Sequence, residues 1–131
     1  MKVIIAGPRD FYDYPTVVKA VEDSGFKISE VVSGGARGVD AMGEKYAADH
    51  GIPVKRFDAD WLIFGKSAGP RRNKEMARYA DALIAIETNP PTSGTLNMID
   101  TAKLLGLRVH VEKTNVPRYC VGSRPMWQAN Y

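Results

Sequence analysis

Five short segments that read as strands, at residues 2–6, 30–33, 53–57, 82–87 and 107–112, alternate with segments of helical character, and this alternation restricts the fold most. The run "ALIAIE" at 82–87 is continuous, apolar and free of Gly and Pro, as expected of a strand buried on both faces. Parallel strands need a crossover between neighbours, and the intervening segments supply one each time. Helices are expected at 15–24, with Pro15 in the first turn and Gly25 beyond the end, and at 39–50, with Gly51 as the stop. In the second of these, Val39, Met42, Gly43, Tyr46 and Ala47 share a face. Two further helices are expected at 70–80 and 95–105, preceded by a long loop, "DADWLIFGKSAG", and by the break "NPPTSG". The pattern predicts an α/β fold, a Rossmann-like three-layer sandwich with a mainly parallel sheet of about five strands. One domain over 1–112 accounts for it, and a tail at 113–131 is expected to pack on that domain or on a dimer partner.

Composition removes several classes of function. An apolar content of 44% and a charged content of 25% are those of a soluble globular chain, and no apolar run approaches a membrane span. "MKVIIAG" is too short for a signal peptide. The single cysteine, Cys120, leaves no internal disulfide and points to a reducing cytoplasm. It has no neighbouring base that would make it a nucleophile. His50 and His110 have no metal-ligand spacing with each other or with Cys120, so neither a metal nor a cofactor is expected. A net charge of +3 favours anionic ligands but is small for a nucleic-acid binder.

In an open parallel sheet, ligands bind beyond the carboxyl ends of the strands. Three loops should meet there: "AGPRDF" with Gly7 and Arg9, "SGGARGVD" with Ser33, Gly34, Gly35, Arg37 and Gly38, and "PPTSGT" with Ser93, Gly94 and Thr95. The last two lead into helices, whose unpaired N–H groups and dipole attract anions. Glycines allow close approach of the backbone, hydroxyls add donors, and Arg9, Arg37 and Arg72 add charge-assisted bonds. Neither the dinucleotide spacing G-x-G-x-x-G nor a P-loop Gly-Lys-Ser/Thr is present.

Asp40 and Glu44 stand one helical turn apart. Acids there complement the helix dipole and pair with nearby cations; in a functional reading, one of them binds ribose hydroxyls, holds Arg37 or polarises a water. Lys66, Arg71, Arg72 and Lys74 cluster within "GKSAGPRRNKEM". Arg72 shares a helical stripe with Met76, Tyr79 and Ala80 and so leans inward, with Asn73 beside it as a ligand contact or a structural cap. Trp61 and Phe64 either stack on a base or anchor the loop, and their large apolar area favours anchoring.

These segments resemble the SLOG superfamily of Rossmann-like nucleotide-binding domains, which includes DNA-processing protein A and the lonely guy phosphoribohydrolases. The similarity is strongest to its YspA-like, YpsA-related branch of unknown function. It is carried by "GPRDF" (7–11), "VVSGGARGVDAMGEKYA" (31–47), "DADWLIFGKSAGPRRNKEM" (58–76), "ADALIAI" (80–86) and "SGTLNMI" (93–99). The resemblance implies a nucleotide-derived small-molecule partner at these loops and, commonly, a homodimer. In the lonely guy motif an Arg-Lys-x-x-Met helix start precedes Pro-Gly-Gly-x-Gly-Thr-x-x-Glu. Arg72 and Met76 match the first part, with Asn73 in place of lysine, and Ser93-Gly94-Thr95 resembles the phosphate-binding turn. The catalytic glutamate, however, falls on Met98, which cannot move a proton. Asp100 lies roughly 200° further round that helix and faces elsewhere. Three readings follow: first, a sensor or binding domain for a nucleotide-derived ligand. The second is an N-glycosidase using Asp40 or Glu44 as acid/base. The third is a single-stranded nucleic-acid binder using the basic cluster with Trp61 and Phe64.

Overall fold

The computed structural model describes residues 1–118. All five expected strand segments form strands: β1 Lys2–Ala6, β2 Glu30–Ser33, β3 Val54–Arg56, β4 Ala82–Glu87 and β5 Arg108–Lys113. The helices are α1 Tyr14–Ser24, α2 Val39–Asp49, α3 Trp61–Phe64, α4 Ala68–Tyr79 and α5 Ser93–Leu104. The strands lie in the order β3-β2-β1-β4-β5, and every pairing is parallel. Val3 pairs with Val31 on one side and Ala82 on the other, which places β1 at the sheet centre.

Alternation along the strands builds two cores. Val3, Ile5, Val31, Ile84 and Ile86 pack with Val17 and Ala20 of α1 and with Val39, Met42 and Ala47 of α2. Ile4, Ala6, Val32, Leu83 and Ala85 pack on the other face, with Met76 and Ala77 of α4 and Met98, Ile99 and Ala102 of α5. Successive residues of a strand point to opposite faces, so one run of β-branched and aliphatic residues fills both layers.

Gly43 lets α2 lie close to the sheet. A Cβ there would stand 2.9 Å from Ile5 Cβ and 3.1 Å from Ile5 Cγ2. Gly43→Ala should therefore destabilise the fold by about 1–2 kcal/mol, overpacking outweighing the better helix propensity of alanine. Urea unfolding would measure this; a variant as stable as the wild type would refute the close contact.

Most boundaries fall within one residue of expectation; the larger differences lie before α4 and at the start of α5. The stretch 58–69, read as a loop, contains α3 and a 3₁₀ turn at Gly65–Ser67, and α4 begins at Ala68 rather than at 70. Its one legible start signal is Asp60, whose carboxylate accepts the Ile63 N–H at 3.1 Å. Helix α5 begins two residues early, at Ser93, because Thr92 serves as its N-cap. Of the tail, Val116 packs against the core on the α1 and α2 side, and Arg118 Nε lies 3.7 Å from Asp10 Oδ1. Cys120 and the rest of the tail lie outside the described residues. Among those described, no helix is long and apolar enough to cross a membrane.

Candidate functional site

From β1 the chain winds through β2 to β3 with α1 and α2 on one face; it then crosses to β4 and β5, with α4 and α5 on the other. The connections diverge between β1 and β4, where such sheets form a crevice. A cleft of about 1060 Å³ opens there, large for a small-molecule site. Its walls bring together Gly7 and Arg9 after β1, Arg37 and Asp40 at the start of α2, Arg72 and Asn73 of α4, and Ser93, Gly94 and Thr95 of α5. The expected meeting of three loops occurs.

Arg72 is partly buried and donates from Nη1 to the Gly34 carbonyl at 2.8 Å. Its Nε donates to Asn73 Oδ1 at 3.3 Å, and Asn73 Nδ2 donates to Asn97 Oδ1 at 2.9 Å. Burial works against the guanidinium charge, and Asp40 offsets part of that effect. Among the described residues, Arg9 and Arg37 form no ion pair, and both line the cleft. On α5, Thr92 Oγ1 accepts the Thr95 N–H at 3.4 Å, which leaves the Ser93 and Gly94 N–H groups in the uncapped part of the first turn.

The glycine loop before α2 is organised differently from the open anion cradle expected of it. Gly35 N–H donates to Ser33 Oγ at 3.1 Å, and Ala36 N–H donates to Asp40 Oδ2 at 3.2 Å. Ser33 donates its own hydroxyl to Glu44 Oε2 at 2.7 Å and is 1% exposed. Neither Ser33 nor Glu44 lines the cleft; Glu44 lies instead 3.9 Å from Arg56 Nε. Gly34 and Gly35 border a smaller recess of about 250 Å³, which shares Arg9, Arg37 and Arg72 with the main cleft. Gly38 packs beneath the first loop, where a Cβ would lie 2.4 Å from the Pro8 carbonyl oxygen. Thus α2 presents a carboxylate-capped terminus, whereas α5 presents an anion-suited one.

Asp40 lines the cleft although only 6% of it is exposed. Burial pushes its carboxyl up to about 6 and Glu44 adds to the rise, against the opposing pull of Arg72, the Ala36 N–H and Arg9. An acid titrating near neutrality, in reach of a bound molecule, suits proton transfer as well as hydrogen bonding.

Trp61 and Phe64 do not anchor the loop in the core: they are 47% and 43% exposed. Trp61 lines the cleft with the Arg9 guanidinium 5.1 Å from its ring centre, and its edge crosses the space that a side chain at Gly69 would need. Phe64 carries the Arg71 guanidinium at 4.2 Å. Sequence reasoning missed Asn97 and did not place Lys66 in the cleft, where both line the wall. The spacing of Asn97 from Ser93, one helical turn, was the available signal. Met98 also lines the cleft, nearly fully buried.

A family model described as YspA, cpYpsA-related SLOG family matches residues 1–64. Gene 61 protein of Mycobacterium phage D29 is 32% identical over 117 residues, covering 82% of this chain and 93% of that protein. Among solved structures, DNA processing protein A from Streptococcus pneumoniae is similar with a TM-score of 0.66 at 19% identity, over 84% of this chain. At that identity the likeness is one of fold, and this chain spans about half (49%) of the solved one.

Proposed function

We propose, for a chain that belongs to the YspA, cpYpsA-related SLOG family, that the cleft binds a nucleotide or nucleotide-derived phosphorylated molecule in a sensing or carrier role. The observation that carries this reading is the convergence of Arg9, Arg37 and Arg72 with the first turn of α5 in one cleft. Guanidinium groups and uncapped helix N–H groups are the donors that phosphate oxygens take best. Met98 supports binding over catalysis, since a thioether stands where the related hydrolases carry their acid.

Retention of ligand from a panel of nucleoside mono- and diphosphates, cyclic nucleotides and ADP-ribose, read by mass spectrometry after ultrafiltration, tests the proposal. Arg72→Gln should weaken binding of the retained ligand about 10- to 100-fold, the range for losing a charge-assisted hydrogen bond. Circular dichroism would establish that the variant is folded. If the wild type retains nothing phosphorylated, the reading fails.

A second reading rests on Asp40, buried at the cleft wall with its carboxyl near neutrality. It makes the protein an N-glycosidase in which Asp40 moves the proton. Free base released by the wild type and lost in Asp40→Asn would establish it. Glu44, held by Ser33 outside the cleft, has no part in this reading. A short single-stranded oligonucleotide belongs in the same panel, because the structural neighbour is a DNA processing protein and Arg71 lies over the exposed Phe64.

A further inference from the structure

Arg72 fixes the direction of a hydrogen-bond relay that ends in the cleft. A guanidinium has N–H donors and no acceptor, so Arg72 Nε, 3.3 Å from the Asn73 amide, must meet its oxygen. That turns Asn73 Nδ2 toward Asn97, 2.9 Å away, and an amide nitrogen donates, so it must meet Asn97 Oδ1. The two ends of an amide are alike in shape; here a donor-only neighbour decides both. Asn73 is 5% exposed, which shields the relay from water and strengthens each bond in it. At the end of the relay, Asn97 has spent its oxygen and keeps both Nδ2–H donors. Asn97 is half-buried, lines the cleft, and stands one helical turn from Ser93 and Gly94.

We infer that the Arg72–Asn73–Asn97 relay makes Asn97 Nδ2 a fixed donor to the anionic oxygens of a phosphate-bearing ligand, with Asn73 as the positioning residue. This deepens the proposed function and rests on it. Together with Arg72 and the open N–H groups of α5, Asn97 forms a wall of donors that accepts phosphate oxygens and rejects an ammonium or another donor-rich group. Asp40, on the opposite helix, supplies a buried carboxylate, and Asp10, in the loop after β1, lines the cleft with a second. The ligand therefore has a polarity: its acceptor-rich anionic end lies at α4 and α5, and its hydroxyl or amino end lies at α2.

Two isosteric substitutions separate binding from positioning, with AMP and inorganic pyrophosphate as the probes. Asn97→Asp keeps an oxygen for Asn73 but puts an anionic oxygen where the donor was, and should weaken both probes at least about 30-fold. Asn73→Asp still accepts from Arg72 but cannot donate to Asn97. The Asn97 amide should then turn over, present its oxygen to the cleft and weaken both probes at least about tenfold, although Asn97 itself is intact.

The ¹⁵N side-chain amide resonances of the wild type give a readout independent of any variant. In the free protein, the Asn73 amide protons should exchange slowly and those of Asn97 fast. AMP should shift and protect the Asn97 pair. A protected Asn97 pair in the free protein, beside a fast-exchanging Asn73, would overturn the relay. AMP that binds without moving the Asn97 signals, or that binds Asn97→Asp as well as the wild type, would overturn the donor role alone. Wild-type protein that binds neither probe would overturn the cleft reading together with it.

Discussion

Gly38→Ala is expected to lower the stability of the domain by about 3 kcal/mol or more, and its thermal midpoint by roughly 10 °C or more. Two costs combine. Gly38 has φ 70° and ψ −125°, a region that L side chains rarely adopt. A Cβ there would also lie 2.4 Å from the Pro8 oxygen and 2.5 Å from the Arg9 carbonyl carbon, both backbone atoms that cannot swing aside. The Val39 N–H donates to that same Pro8 oxygen at 3.2 Å, so relief of the clash would break the bond that seats α2 against the first loop. Gly25 provides the control, because its φ of 68° is similar but no atom lies within 4 Å of its Cβ position. Gly25→Ala should therefore show the conformational cost alone, about 1 kcal/mol. The excess at Gly38 measures the loop contact. Equal losses at the two positions would show that the loops do not bear on each other. Because Arg9 belongs to the displaced loop, Gly38→Ala should also weaken any ligand held by that arginine.

Gly38 also shows how much of the site was legible in the sequence. The meeting of the three loops followed from a parallel sheet, since topology alone brings strand ends to one edge, and the inward lean of Arg72 followed from the helical stripe it shares with Met76. The strands that feed both cores were visible in β1 and β4 as apolar runs, at 3–6 and 82–86, with only Lys2 and Glu87 charged at their ends. What the sequence did not show was the allocation of donors. Ser33 and the Gly35 N–H had the right chemistry for a phosphate, yet they bond to one another, and Ser33 also bonds Glu44. Spacing places such groups in one neighbourhood but does not say which of several acceptors within reach each donor will take. Trp61 illustrates a related limit. Its area argues for burial, but α3 is only four residues long and none of its side chains is buried. Asn97 escaped notice because its one-turn spacing from Ser93 marks only a shared helix face until Arg72 and Asn73 give its amide a direction.

The second large effect concerns Asp40 and runs with pH. Its carboxyl is raised from 3.8 to about 6 in the folded protein, chiefly by burial, so the folded state holds the proton more tightly than the unfolded chain. The associated stability is fully present below about pH 4, falls as pH rises through 6, and is lost above about 7. A displacement of this size corresponds to roughly 3 kcal/mol at most. Asp40→Asn removes the ionisation while keeping an oxygen for the Ala36 N–H, so it should match the wild type near pH 4 and exceed it by about 2–3 kcal/mol at pH 8. Urea unfolding of both proteins across that range is the measurement; a difference that does not change with pH, or a variant weaker at pH 8, would refute the account. A domain of this size has about 5–15 kcal/mol in total, so an ionised Asp40 is a large standing cost at neutral pH. Such costs persist where a site needs the group, here to face the hydroxyl or amino end of a ligand whose anionic end lies with Arg72. The variant should accordingly be more stable than the wild type at neutral pH and yet discriminate less well among ligands that differ only at that end.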